Sequence, residues 1–524
     1  MSEEKTLFGH PTGLYYLFFV ELWERFSYYG MRALLVLYVV DTYFLDKPEG
    51  EREVLAFGIF GAYGALVYAT PVLGGMIADK YIGYRKSIIL GGLIMALGHF
   101  CMAFQEQSIF FIALGLLVVG NGFFKPNIAA MVGTLYGEND PRRDGGFTIF
   151  YMGVNAGAMI APLICGWLGY EYGWHYGFGA AGVGMLLGLV LFVYGLKNNV
   201  LGERGHQPKE YVDAKVMGLR IDYFVYLVGF AIVPLFSFLI ASNDMLVFDT
   251  WNLMGFILLF VLIAVLTLLI YRFTQVSTQE WHRLFVVLIL AFFIMVFWSF
   301  FEQAGSSLTL FAKKNVNLLW INASQTNSIN PFYIILLAVP FSSLWLYLSS
   351  KASNPITPIK SGLGIAQLGI GFLIFAYSAN FVDPSGRVPF SFFLLGYLFM
   401  TTGELFISPI GLSKATELSP AKYVSFMVGL FYMSSSFAHY IAGGIAKLTA
   451  QTGEAGGVEP GFMGNVISYV TGFTNGTTDS SVEAIQSLAA YTSIFTQIGV
   501  ISLGFAVIIL ILAPFIKKLM HGIH

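Results

Sequence analysis

The chain has 524 residues, 56% of them hydrophobic and only 11% charged, with a formal net charge of -2. Soluble domains carry about 25% charged residues, so this composition excludes an ordinary soluble enzyme, a disordered chain, a coiled coil and a basic nucleic-acid binder. Cys101 and Cys165 lie inside apolar runs, where they act as small hydrophobes and not as a disulfide framework. The composition is that of an all-α polytopic membrane protein.

A spanning helix needs about 20 mainly apolar residues. Such runs are read, in chain order, at 14-40, 54-79, 87-104, 108-129, 146-170, 175-196, 221-242, 251-271, 283-311, 330-349, 361-380, 389-412, 423-449 and 489-516. They are far longer than the roughly 10-residue alternating strands of a membrane barrel, and they predict 14 transmembrane helices. The first carries Glu21, Glu24, Arg25 and Arg32, which argues for a span and against a cleavable signal peptide. The layout is six, two, six. It reads as an N-terminal six-helix bundle over 1-196, a cytoplasmic linker with two inserted peripheral spans over 197-281, and a C-terminal six-helix bundle over 282-524. Two six-helix bundles around a central path form a transporter plan. Loop 450-488, with its Asn475-Gly476-Thr477 pattern, is expected to contribute little to function.

Orientation follows from Lys and Arg. With the N-terminus inside, alternate loops place Lys80, Arg85, Lys86, Arg142, Arg143, Lys197, Arg204, Lys209, Lys215 and Arg220, among others, on the cytoplasmic side. The other side holds only Lys47, Arg52, Lys313, Lys314, Arg387 and Lys447. Both termini are therefore expected in the cytoplasm.

Charge inside a membrane is costly and marks function by default. At 100° per residue, Glu21, Glu24, Arg25, Tyr28, Tyr29 and Arg32 fall within an arc of about 140°. That face must meet a polar cavity or polar partners. Lys125 lies late in the fourth span, where Gly120, Gly122 and Pro126 are expected to break the helix and free backbone groups. Glu302 and Glu404 are the acids of the later spans, and Asn330-Pro331 opens the tenth. Glu417, beside Lys414, reads as a surface pair, and His439 as a packed core histidine. Between spans two and three, the glycines of Gly74-Gly75…Asp79-Lys80…Gly83…Arg85-Lys86 predict a tight turn. Asp79 there is expected to pair with Arg85 or meet a helix end. Cations and acids in the early spans, with acids alone in the later ones, would suit a zwitterion: its carboxylate towards Arg25, Arg32 or Lys125, its ammonium towards Glu404.

The chain resembles the proton-dependent oligopeptide transporter family of the major facilitator superfamily, in its bacterial form. The resemblance is carried by Glu21-Leu22-Trp23-Glu24-Arg25-Phe26-Ser27-Tyr28-Tyr29-Gly30, by Phe150-Tyr151-Met152-Gly153-Val154-Asn155-Ala156-Gly157, by Phe301-Glu302-Gln303, and by Gly403-Glu404-Leu405 with Ser408-Pro409. Gly75, Asp79 and Arg85 match the superfamily's conformational loop motif.

The resemblance implies a proton-coupled symporter that imports di- and tripeptides by alternating access, not an enzyme, with two extra helices between major-facilitator bundles. It implies no cofactor beyond the proton, no metal, no nucleic acid, a monomer, and a multi-pass place in the bacterial inner membrane. Glu21, Glu24, Arg25 and Glu302 would serve proton coupling. Arg25, Tyr29, Arg32, Tyr68, Lys125, Tyr151, Asn155, Asn330 and Glu404 would bind peptide. Arg32 with Glu302, and Lys125 with Glu404, would be gating pairs. Two features differ from many members: residues 57-68 contain no His, so coupling is expected to rest on carboxylates, and Phe431 stands where Trp is common. The alternative is a proton-coupled carrier of another small anion, drug or amino acid on the same fold. A nucleotide-driven pump and a metal-dependent membrane enzyme are disfavoured, since neither G-x-x-x-x-G-K-[ST] nor H-E-x-x-H occurs.

Overall fold

The structure, a computed structural model, describes residues 6–137, 140–247, 251–273, 276–351, 353–408, 411–420, 422–451, 462–473 and 483–523. Pro409 and the Asn475-Gly476-Thr477 pattern lie outside them. The first helices are α1 (Thr12–Thr42), α2 (Glu49–Ile77), α3 (Gly83–Met102), α4 (Gln107–Gly133), α5 (Arg143–Glu171), α6 (Trp174–Lys197), α7 (Ile221–Ala231), α8 (Val233–Ala241) and α9 (Leu253–Phe273). They are followed by α10 (Thr278–Phe301), α11 (Ser307–Asn315), α12 (Ile329–Ser350), α13 (Thr357–Tyr377), α14 (Phe390–Ile407), α15 (Gly411–Leu418), α16 (Val424–Gln451), α17 (Phe462–Thr471) and α18 (Glu483–Leu519). Strands are limited to two-residue pairings, such as Val316–Asn317 with Val388–Pro389.

Each apolar run read from the sequence falls on one of these helices or on an adjoining pair. Among the described residues, 11 helical runs are long and apolar enough to cross a membrane, and one of them, Glu49–Met102, contains both α2 and α3. α1 and α16 stand outside that set because polar residues dilute them: the charges of α1, and Ser434, Ser435, Ser436 and His439 in α16. The protein is a multi-pass helical membrane protein. The 450-488 stretch contains one helix: α17 packs on α13 and α18.

Contacts divide the chain into two compact units, Met1–Tyr38 with Leu66–Ser242, and Val39–Ala65 with Asn243–His524. α7 and α8 thus belong to the first and α9 to the second.

In the first unit, α3 packs on α4 and α6, α5 on α6, and α4 on α8. Helices in lipid gain little from hydrophobic burial against one another and rely on close contact through small residues. Gly157 of α5 sits so near α1 that an added Cβ would collide with the Leu22 carbonyl and lie 3.0 Å from the Arg25 Cβ. Gly74 of α2 meets the Gly122 carbonyl of α4 in the same way.

That contact explains one departure from expectation. α4 runs unbroken through Lys125 and Pro126. Pro126 cannot donate to the Gly122 carbonyl, but that carbonyl is covered by Gly74. The next one, Phe123 O, accepts from Ser87 Oγ at 3.0 Å and Asn127 Nδ2 at 2.7 Å. With these groups covered, the helix has no reason to open.

The α2–α3 connection also differs from the expected tight turn. α2 passes into a single π-helical turn, Ala78–Ile82, and then directly into α3. The corner is made at Gly83, whose φ of +76° suits glycine. Arg85 donates to the carbonyls of Gly202 and Arg204, while Asp79 is taken by the Tyr84 hydroxyl. Lys86 bonds Asp222 and Gln207, each at 2.7 Å. The motif therefore ties the 202–207 stretch and the start of α7 to the α2–α3 corner.

In the second unit, α13 lies between α14 and α18, and α10 packs on α16. A capping box starts α10: Ser277 Oγ accepts from Glu280 N, and Glu280 Oε2 accepts from Ser277 N at 2.9 Å. The helix ends at a 3-10 turn, Glu302–Gly305, before α11 resumes. Here the irregular helix beside a charge is found at Glu302, not at Lys125. Lys314 pairs with Glu49 at 3.0 Å and with Glu53, and Lys313 pairs with Asp41 at 2.6 Å.

Gly74→Val should drive two methyls into the Gly122 carbonyl, at a cost of about 1–3 kcal/mol. A thermal melt in detergent should show a lower midpoint, whereas Gly179→Ala, where nothing lies within 4 Å, should melt like the parent.

Candidate functional site

The charged face of α1 is enclosed in the first unit. Glu21, Glu24 and Arg25 are 4%, 0% and 3% exposed. Arg25 Nε lies 3.0 Å from Glu21 Oε1 and also pairs with Glu24. The Glu21–Arg25 pair follows from the helix itself, since residues four apart share a face; Glu24 is the chain neighbour of Arg25. Arg25 stacks over Tyr28 at 5.4 Å, Arg32 over Tyr29 at 5.9 Å, and Lys125 over Tyr68 at 4.0 Å from the ring centroid. Cation–π contact of this kind strengthens when desolvated.

Lys125 is within electrostatic reach of both Glu21 and Glu24, and Arg25 of Tyr29 and Tyr68. The sequence-predicted residues Glu21, Glu24, Arg25, Tyr29, Tyr68 and Lys125 are therefore brought together. Two acids and two bases leave this group with no net charge. One oxygen of each carboxylate and Arg25 Nη2 are buried without a hydrogen-bond partner among the described residues. Asn155 donates to the Tyr151 carbonyl at 3.0 Å, one turn back in α5. Asn155 is buried, whereas Tyr151 is 44% exposed.

In the second unit, Glu404 of α14 is 6% exposed. Asn330 Nδ2, at the start of α12, donates to Glu404 Oε2 at 2.8 Å and to Thr401 Oγ1 at 3.1 Å. Thr401 in turn donates to the Tyr397 carbonyl at 2.8 Å. Asn330 is thus more than a helix start: it orients the Glu404 carboxylate. Glu302 is within electrostatic reach of Glu404. It also faces His439 of α16, with Oε2 3.4 Å from Nε2. Gln303 anchors this turn by donating to the Ala442 carbonyl at 3.0 Å.

The sequence reading missed three participants. His439 was expected to be core packing, but it faces an acid. The available signal was a polar stripe, Ser435, Ser436 and His439, inside an otherwise apolar helix. Thr401 lies one turn before Glu404, and that spacing carries it to the same face. Asp222, which accepts from Lys86 and from Arg220 at 2.8 Å, had no local signal because its partners are remote in sequence or exposed. Among the described residues, no group of three or more His, Cys, Asp or Glu could hold a metal ion.

Residues 85–460 match the profile of the POT family. The chain belongs to the POT family. A curated relative, the "Uncharacterized transporter YclF" of Bacillus subtilis (strain 168), is 33% identical over 99% of this chain and 97% of its own length. The "Di-/tripeptide transporter" of Lactococcus lactis subsp. cremoris is 35% identical over 84% of this chain and 89% of its own. Among solved structures, a crystal structure of peptide transporter POT in complex with sulfate superposes with a TM-score of 0.77 at 31% identity, covering 99% of this chain and 98% of that one. The POT-family helical bundle is of the major-facilitator type, as the sequence motifs implied.

In this POT-family chain, Arg25 sets the stability of the buried acids. Arg25→Met should strip Glu21 and Glu24 of their shared partner and cost about 3–5 kcal/mol. Chemical unfolding in detergent should report that loss. Adding Glu21→Gln should recover much of it, because the remaining Glu24 then balances Lys125.

Proposed function

We propose that the protein is a proton-coupled symporter that imports di- and tripeptides across the bacterial inner membrane by alternating access, with both termini cytoplasmic and the single chain as the transport unit. The peptide is the substrate and the proton the coupling ion.

One observation carries the reading: a buried cluster around Arg25 in which two bases balance two acids in one unit, and a carboxylate held in place by Asn330 in the other. A peptide zwitterion has one group for each. Its carboxylate is taken by Arg25, Arg32 and Lys125, and its ammonium by Glu404, with Asn330 keeping that carboxylate aimed. Tyr29, Tyr68, Tyr151 and Asn155 contribute the polar wall. The names of the relatives support the peptide as substrate.

Coupling follows from charge balance. The group Glu21, Glu24, Arg25 and Lys125 sums to zero. Adding the peptide carboxylate makes it negative in a medium where uncompensated charge is expensive. A proton taken up by Glu21 or Glu24 restores neutrality and frees Arg25 to bind the incoming carboxylate. Peptide and proton therefore favour each other's binding, which is the thermodynamic content of symport. Glu302 is the second protonation site. A zwitterionic dipeptide with no net charge and one accompanying proton carries one positive charge inward. Each such charge gains about 2.3 kcal/mol per 100 mV, or roughly 50-fold accumulation.

Proteoliposomes given an inside-negative potential and an acidic exterior should accumulate labelled dialanine, and a protonophore should abolish the accumulation. Glu404→Gln should lose it while folding normally, whereas free alanine should compete poorly. Equal uptake with and without the gradient would overturn the proposal.

A further inference from the structure

The pair formed by Glu302 and His439 is assigned no role by the reading of His439 as core packing, yet its surroundings are those of a built site. Both side chains are about 4% exposed. His439 Nδ1 lies 2.8 Å from the Ser435 carbonyl, one turn back in α16. A carbonyl only accepts, so Nδ1 carries a proton and donates it. This leaves Nε2 as the variable nitrogen, and Nε2 is the one aimed at Glu302, 3.4 Å from Oε2.

The ring is held in a notch. α2 presents Gly64 to it, so close that an added Cβ would lie 2.6 Å from His439 Cδ2. Gly61, one turn earlier, packs against the His439 carbonyl and Gly443. Two glycines, a carbonyl and a carboxylate thus fix one rotamer and one tautomer. The groups near the pair come from several packed elements. α2 contributes glycines at the ring, the turn after α10 contributes Glu302 and the neutral Gln303, and Glu404 of α14 acts on Glu302. On α16 itself, Tyr440 is engaged with Asn252 and Lys447 with Asp244.

We propose that Glu302 and His439 form one proton-binding dyad, in which a single coupling proton is shared between Glu302 Oε2 and His439 Nε2. The inference rests on the proton-coupled reading above and deepens it by naming a second group at the Glu302 site. The transfer is balanced. With the proton on Oε2, a neutral carboxyl donates to a neutral imidazole. With the proton on Nε2, a carboxylate faces an imidazolium. No other reactant is needed, and the Nδ1 proton stays on the Ser435 carbonyl throughout. The first form carries no net charge and neither does the second, so a low-dielectric site tolerates both. Loss of the proton leaves a lone carboxylate, which is costly there. The dyad therefore releases its proton only when another cation or water reaches Glu302. Coupling in this chain does not rest on carboxylates alone.

Two measurements test it. In proteoliposomes, His439→Gln keeps a hydrogen-bonding group of similar reach that does not titrate. It should retain exchange of dialanine against dialanine within about twofold, yet lose gradient-driven accumulation, falling from roughly 50-fold per 100 mV towards unity. Glu302→Gln should behave alike, and the double variant should lose no more than either single one. Native accumulation by His439→Gln would overturn the dyad while leaving symport standing. Absence of driven accumulation by the parent chain would instead count against the proton-coupled reading. The second measurement does not depend on transport. In protein carrying nitrogen-15 histidine, the parent's His439 Nε2 should show the signature of a proton shared with Glu302, and Glu302→Gln should remove it. A parent His439 whose Nε2 shares no proton, or a Glu302→Gln signal identical to the parent's, would refute the proposal.

Discussion

Everything distinctive in this molecule follows from the expense of uncompensated charge in a low-dielectric interior. Arg25 is the clearest case. Fully enclosed, it pairs with Glu21 and Glu24 on its own helix and draws Lys125 of α4 into the same electrostatic neighbourhood. Remove any one of these and the remaining three carry net charge, with Glu21, Glu24 and Arg25 themselves almost fully buried. The packing around them is consistent with that demand. Gly157 lets α5 close against α1 beside Arg25, and Gly74 lets α2 close over the proline-bearing stretch of α4. Small residues bring backbones together where a polar face has to be sealed.

The same economy governs the second unit, with different parts. There, Glu404 and Glu302 meet neutral or switchable groups. Glu404 is steered by Asn330, which is itself braced on Thr401, and Glu302 faces an imidazole. A fixed Arg–Glu pair keeps its charge; an acid beside an amide or an imidazole can take up a proton without leaving a fixed cation unpaired. The intramembrane bases Arg25, Arg32 and Lys125 sit in the first unit and the second contributes Glu302 and Glu404, a sorting visible in outline from where the bases stop in the sequence.

Much of the molecule was legible in advance because the membrane simplifies the code. A run of about 20 apolar residues can be little other than a helix, so the spans were readable from length alone. The charged face of α1 was readable because helical periodicity maps sequence spacing directly to geometry. What could not be read depended on remote partners. Lys125–Pro126 has the composition of a broken helix, and only the Gly74, Ser87 and Asn127 contacts keep it straight. Conversely, Phe301-Glu302-Gln303 lacks proline, yet the helix turns to 3-10 there, with Gln303 bonded to a carbonyl of α16. His439 is chemically ambiguous in any apolar helix; its role depends on which residue faces Nε2, and that residue is well over a hundred positions away.

The glycine contacts between α2 and α16 have a mechanical consequence. Gly61 and Gly443 meet backbone to backbone, with the two Cα atoms in near contact. Where helices interlock through Leu or Ile, sliding one past the other forces each side chain over a rotamer barrier, as in a pair of gears. Glycine against glycine has no teeth. The two helices touch along smooth backbone and can roll by small angles while every neighbouring rotamer stays in its well. The contact acts as a bearing, and His439, seated one turn away against Gly64, rides close to its axis. A side chain seated there would be displaced little by such a roll.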